Sequence, residues 1–350
     1  MKSDYTTAEK KVLYGLVKHP TLNDRELSEA IGVKPSTTTA IRRRLRKAEV
    51  FSTKRIPMAD RLGYELLGVF CGRMGPGTKD SVKKKFLEAV HNMPQIFYTI
   101  VSSDSVFAIG YFKNFSEYRA FADAAWEQFG GSAVIEPGMW SWAIFSFERS
   151  KIAYFFDYGP PLKYIFNIKE RMKFMESAEE PSSIKLSKKE KVVLQGLVNL
   201  PESSDKEVAE RIGASRQAVS AMRKRFEKMG VMKTLRVVNL EKVGYHLVAL
   251  AHNQFTPPAT LEARRKDLMK IAEMVPQFLS VVSNPESILM ACATNYEMYH
   301  EVRNRALKLY AEKGYLRDEP MMMLFPLSDT HTIKDFDFVG FMERIVGEEE

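Results

Sequence analysis

Cysteine is nearly absent from this sequence: 350 residues carry only Cys71 and Cys292. Each lies in an apolar, strand-like run with no second cysteine or histidine at ligand spacing. That excludes a disulfide framework, a cysteine metal cluster and a CxxC redox motif, and both thiols are expected to be small buried hydrophobes. Also missing is any uninterrupted run of the about 18 apolar residues that a membrane-spanning helix needs. MKSDYTTAEKK at the start carries no apolar signal-peptide segment. No glycine-rich nucleotide loop and no nucleophile beside a base is recognisable, and His91, His246, His252 and His300 are scattered without fixed spacing. These absences predict a cytoplasmic protein that contacts no membrane, holds no metal or cofactor and is not an enzyme.

What the sequence has is concentrated positive charge. The formal net charge is +8, and residues 34–47 hold Lys34, Arg42, Arg43, Arg44, Arg46 and Lys47 with no acid among them. Residues 215–228 hold Arg216, Arg223, Lys224, Arg225 and Lys228 against Glu227 alone. A polyanionic partner is therefore permitted, with its contacts confined to two short segments.

Those segments are copies. GVKPSTTTAIRRRLRKAEVFS (32–52) and GASRQAVSAMRKRFEKMGVMK (213–233) align at an offset of 181 residues, which also pairs Glu9 with Glu190, Pro20 with Pro201 and Gly63-Tyr64 with Gly244-Tyr245. Such a domain-sized period is a duplication, not a solenoid. MPQIFYTIVSS (93–103) faces VPQFLSVVSNP (275–285) after a one-residue slip, and YFFDYG (154–159) faces DFDFVG (335–340). PPLKYIFNIKERMKFMESAEE predicts a helix starting on Pro160-Pro161, and EEPSSIKLS (179–187) a flexible boundary.

Each copy starts with three helices. Thr6-x-x-Glu9 and Ser187-x-x-Glu190 form capping boxes, as do Asn23 with Glu26 and Ser204 with Glu207. Gly32 and Gly213 stop the second helix, and a third follows at once, capped by Ser215 or opened by Lys34-Pro35. This is a helix-turn-helix. On the third helix Thr38, Ile41 and Leu45, like Val219, Met222 and Phe226, face inward. Ser36, Thr39, Ala40 and Arg43, like Gln217, Ser220, Ala221 and Lys224, face outward. Short hydroxyls and amides near a helix start reach base edges, and Arg or Lys farther along reach guanines or phosphates. The expected DNA contacts are Ser36, Thr37, Thr39, Arg42, Arg43 and Arg46 with wing residues Lys54 and Arg55. In the second copy they are Arg216, Gln217, Ser220, Arg223, Lys224 and Arg225 with Arg236.

VFSTKRIPMADRLGYELLGVF and VMKTLRVVNLEKVGYHLVALA continue each copy. This run of short helix, glycine, third helix, basic strand and Leu-Gly-Tyr or Val-Gly-Tyr turn resembles the Lrp/AsnC family of feast-or-famine regulators, in an internally duplicated, tandem form. ELLGVFCGRM onward, and HLVALAHNQF onward, alternate as β-α-β-β-α-β. The expected fold is α+β: two tandem modules, each a winged helix-turn-helix followed by a ferredoxin-like domain. Its segments are 1–62, 63–159, 160–186 (helix and linker), 187–243 and 244–350. Trp140, Trp142, Phe145, Phe147 and Met321-Met322-Met323 are expected to pack the sheets.

The resemblance implies a prokaryotic transcription regulator that binds double-stranded DNA, dimerises through its sheet domains and takes a small effector such as an amino acid. The Gly-x-x-Asp sequence that family members carry between the middle strands is replaced here by SSDS (102–105) and NPES (284–287), which leaves the effector open. Siroheme decarboxylases are similar to the same family in fold, so a tetrapyrrole enzyme is one alternative. A broadly binding chromatin protein is another.

Overall fold

The computed structural model describes residues 5–130, 134–170 and 183–347. The first half runs α1 Thr7–Lys18, α2 Asp24–Ile31, α3 Pro35–Lys47, β1 Phe51–Pro57, β2 Leu66–Met74, α4 Asp80–Asn92, β3 Ile96–Val101, β4 Ser105–Phe112, α5 Phe115–Phe129, β5 Ile135–Ser146, β6 Lys151–Tyr154 and α6 Gly159–Ile165. The second repeats the order with α7 Lys188–Asn199, α8 Asp205–Ile212, α9 Arg216–Lys228, β7 Met232–Val238, β8 Leu247–Gln254, α10 Leu261–Met274, β9 Gln277–Val282, β10 Glu286–Ala293, α11 Tyr296–Ala311, β11 Met321–Pro326, β12 His331–Asp335 and α12 Val339–Gly347. No described helix is long and apolar enough to cross a membrane.

All four capping boxes form, each with a side-chain oxygen accepting from the third helical amide and a glutamate accepting from the cap's own amide. They satisfy amides that a helix start leaves without partners. Gly32 and Gly213 adopt the left-handed conformation (φ 65° and 68°) that lets α3 and α9 begin three residues later. The helix expected from Pro160 is shorter than its sequence suggests. Asn167 turns left-handed (φ 53°) and the Ile168 amide donates to Lys163 O at 2.9 Å, closing the C-terminus of α6. Residues 171–180 of that stretch, and residues 179–182 of the expected flexible boundary, lie outside the described residues.

Each half contributes a ferredoxin-like sheet, and each sheet carries a fifth strand. The orders are β11-β8-β10-β9-β6 and β12-β3-β4-β2-β5. The edge strands β6 and β12 thus come from the opposite half of the sequence, and both pair antiparallel with the edge they cover. Just beyond each strand a phenylalanine is held at positive φ, Phe156 (50°) and Phe336 (54°). The next amide, of Asp157 or Asp337, donates to Phe278 O or Phe97 O at 2.8 Å. Each aspartate side chain then caps the following helix, and the ring beyond it stacks, Tyr158 on Phe278 and Phe338 on Phe97. A bulky residue at positive φ is costly, and here it buys both a cap and a stacked pair.

The chain accordingly divides into two compact units that are not its two sequence repeats. One comprises residues 1–53, 151–177 and 234–328, the other 54–150, 178–233 and 329–350. In the first unit α1 packs against α6, with Tyr14 Oη donating to Glu170 at 2.8 Å. In the second, α7 packs against α12. Each helix-turn-helix is therefore seated on a helix that follows a crossed-over edge strand.

The one-residue slip between 93–103 and 275–285 is absorbed before the strand. Ile96 pairs with Gly110 and Gln277 with Ala291, so the strands keep the register of the helices on either side. The glutamines that look equivalent in sequence, Gln95 and Gln277, are therefore not equivalent in the sheet. Gln277 stands where the other unit has Ile96, on the opposite face from Gln95.

Candidate nucleic-acid interface

The two helix-turn-helix motifs share one internal electrostatic frame. Arg44 donates to Glu9 at 2.6 Å and Arg225 to Glu190 at 2.5 Å, joining the third helix to the capping box of the first. Arg42 donates to Asp24 at 2.6 Å, and Arg223 to Asp205 at 2.9 and 3.1 Å, joining the third helix to the second. The Thr39 hydroxyl donates to Asp24 at 2.8 Å, and Ser220 bonds Asp205 likewise. Thr39, Arg42, Ser220 and Arg223, expected on the DNA face, thus fix the angle of the third helix. Arg225 is paired too, although its side chain keeps 58% exposure.

Arg55 and Arg236 are corrections of a stronger kind. They occupy equivalent positions in the repeat, and neither extends into solvent as a wing cation. Arg55 donates to Leu197 O, Leu200 O and Ser203 O at 3.2–3.3 Å, capping carbonyls at and beyond the end of α7. Arg236, 9% exposed, donates to Pro20 O at 2.8 Å just past α1 and to the Thr53 hydroxyl. A cation at a helix C-terminus satisfies carbonyls that lack an intrahelical partner and complements the macrodipole. Burial pushes the Arg55 pKa down, with the Arg223 charge adding to it. Lys54 is also turned inward, donating to the Asp335 carboxylate at 2.5 Å and its carbonyl at 3.1 Å.

What stays on the surface is a narrower set. Ser36 and Thr37 in the first turn of α3 are exposed, as are Arg43 and Arg46 farther along. Arg216, Gln217 and Lys224 are exposed on α9. The two exposed faces differ in chemistry at equivalent positions: Pro35 against Arg216, Ser36 against Gln217, Arg43 against Lys224. Each face is a polar first turn followed by a cation one or two turns on, a spacing that suits base edges flanked by phosphates.

The frame has a pH signature. Glu9 is held below the usual carboxylate range by the Thr6 hydroxyl and the Arg44 charge, and Glu190 by the Ser187 amide and Arg225. For Asp24 and Asp205 burial would raise the pKa, but hydrogen bonds from Thr39 and Arg42, or from Arg223 and Ser220, outweigh it and leave both lowered. These four carboxyls bind protons less readily folded than unfolded. Their stabilisation is complete above the unfolded value near about pH 4 and is lost as pH falls through the lower folded values. Melting temperatures taken from pH 6 downward are expected to decline in that window. A profile flat to about pH 3 would contradict the frame.

No protein-family model matches the chain, and no curated protein matches it. Among solved structures the chain is similar along its whole length to the siroheme decarboxylase NirDL, at 12% identity and a TM-score of 0.54, covering 97% of this chain and 98% of that one. The same enzyme in complex with an iron-uroporphyrin III analogue gives a TM-score of 0.54 at 11% identity, with 97% and 99% covered. A transcriptional regulator from Neisseria meningitidis bound to L-Met is similar over 40% of this chain and 89% of its own, at 16% identity and a TM-score of 0.32. A member of the AsnC family from Pyrococcus furiosus covers 41% and 88%, at 18% identity and a TM-score of 0.32. At these identities the shared property is the fold. The expectation that the chain is not an enzyme does not stand, because the fold that matches it end to end is that of an enzyme.

Proposed function

We propose that this protein is a sequence-specific regulator that binds double-stranded DNA through α3 and α9 and reads a site with two unequal halves. The observation that carries the reading is the division of labour on those helices. The paired residues set the helix angle against its own motif, and a second, exposed set remains whose members differ between the two copies. A charged solvent face that served solubility alone would not require the same internal frame twice beneath it. Affinity should be dominated by phosphate neutralisation and fall steeply with salt, with specificity supplied by first-turn side chains.

Binding-site selection with the full chain, followed by mobility shifts, tests this. An asymmetric consensus is the expected outcome. Recovery of a perfect palindrome, or uniform binding to unrelated sequences, counts against it, and the latter would favour a chromatin role.

Tetrapyrrole decarboxylation is the second reading, favoured by the end-to-end fold likeness to NirDL. Such an enzyme needs a histidine near the macrocycle. Among the described residues His252 is the one buried histidine, 6% exposed, and its Nε2 lies 2.7 Å from Glu286. Purified protein titrated with an iron porphyrin should then develop a haem-like band that His252→Ala removes. Protein that stays colourless while shifting DNA leaves only the first reading.

A further inference from the structure

The ferredoxin-like domain of the first unit holds a larger and less aromatic cavity than that of the second. Between the helix-facing side of its sheet and helices α10 and α11 lies a cavity of about 80 Å³. A buried water takes roughly 10–15 Å³ on this measure, so the space suits several waters or one small organic molecule. Its counterpart in the second unit is about 50 Å³ and is ringed by Phe70, Phe86, Phe121, Phe129, Trp140 and Trp142.

The strand registers identify the exchanges one by one. Phe70, paired with Trp142, becomes Ala251, paired with Met322. On the facing helix Phe121 becomes Val302, since both helices start on equivalent asparagine caps, Asn114 and Asn295. Three positions also gain polarity. Ile96 becomes Gln277, Val106 becomes Ser287 and Gly72 becomes Asn253.

Gln277 is the informative one. It is 3% exposed and lines the cavity, an amide where the other unit carries an apolar side chain. Burying an amide is unfavourable unless it finds a hydrogen bond, and nothing in the packing of the sheet calls for one here, since isoleucine serves at that position in the other unit. Asn253 and Ser287 do pair, Nδ2 to Oγ at 3.1 Å, and Ser280 lies nearby on β9. The one charged group on the wall, Arg303, is paired with Glu319 at 3.0 Å.

We propose that this cavity binds a small, neutral, planar molecule, aromatic or heteroaromatic, that carries one hydrogen-bonding group. The ring replaces the side-chain volume removed at Ala251, Val302 and Met322, and its polar group meets the Gln277 amide. Neutrality follows from the wall, which offers amides and hydroxyls and a cation already paired. The site lies inside one sheet domain, so it stands whether or not the DNA reading does.

Indole and benzene are the probes, titrated into the full chain by calorimetry and ligand-observed saturation-transfer NMR. Indole should bind saturably at one molecule per chain. Ala251→Phe, which restores the aromatic present in the other unit, should weaken it at least tenfold without lowering the melting temperature, and Val302→Phe repeats the test from the helix side if the first variant folds poorly. Gln277→Leu should weaken indole about fivefold, the worth of one hydrogen bond, and leave benzene unchanged. The proposal is overturned if indole fails to saturate up to its solubility limit, or if neither cavity-filling variant weakens it.

Discussion

Replacing Arg43 and Lys224 together by alanine is expected to lower the affinity of the full chain for its DNA site about a hundredfold. Each is the exposed cation on the outward face of its third helix, one in each motif. A well-placed base contact is worth about 1–3 kcal/mol, and a phosphate contact contributes close to one unit of salt slope. Two losses near the lower end of that range multiply to about a hundredfold. Because both side chains lie on the surface, the melting temperature should hardly move. Fluorescence anisotropy across a salt series separates the outcomes. A slope reduced by about two assigns both residues to phosphates, whereas an unchanged slope with relaxed sequence preference assigns them to bases. Affinity within twofold of the parent would remove α3 and α9 as the reading helices.

Asp205→Ala is expected to destabilise the second unit by about 2–4 kcal/mol. Asp205 accepts two hydrogen bonds from Arg223 and one from Ser220, and the side chains are 21% and 16% exposed for Arg223 and Asp205. Breaking one side of a buried pair leaves a charge without its partner, a loss of about 3–5 kcal/mol when burial is complete. The residual exposure here scales that down. Asp24→Ala should cost less, because Arg42 and Asp24 retain 25% and 30% exposure. Chemical denaturation gives the magnitude, and hydrogen exchange should localise it to α8 and α9. A loss under about 0.5 kcal/mol would place the pair with ordinary surface ion pairs.

Much of this fold was legible because its signals are local. Capping boxes, cap glycines and the alternation of apolar residues act within a few positions, and the duplication showed each of them twice. The sites of correction depend on distance in sequence. Arg55 and Arg236 look like wing cations because a strand of basic residues after a third helix reads that way. Their acceptors are carbonyls 142 to 216 positions away, which no local pattern reports. Strands β6 and β12 escaped because each has only four or five residues, although the matching YFFDYG and DFDFVG carried a hint. Gln277 was misplaced by a gap of one residue: aligned by identity it falls beside Gln95, but hydrogen-bonded register puts it opposite Gly110's equivalent, facing the helices. Here side-chain direction, not similarity, was the missing quantity.

The crossed-over edge strands also impose an order of events on synthesis. Strands β2 to β5 have all left the ribosome once residue 146 has emerged, yet the strand that covers the β3 edge begins only at residue 331. At about 5–20 residues per second that edge waits on the order of ten seconds or more. An open edge is a template for wrong pairing, and the first strand to appear beside it is β6, the repeat's own equivalent of β12. The nascent chain is thus offered the near-copy before the native partner, and the same duplication that supplies two helix-turn-helix motifs makes late strand exchange a step of its assembly.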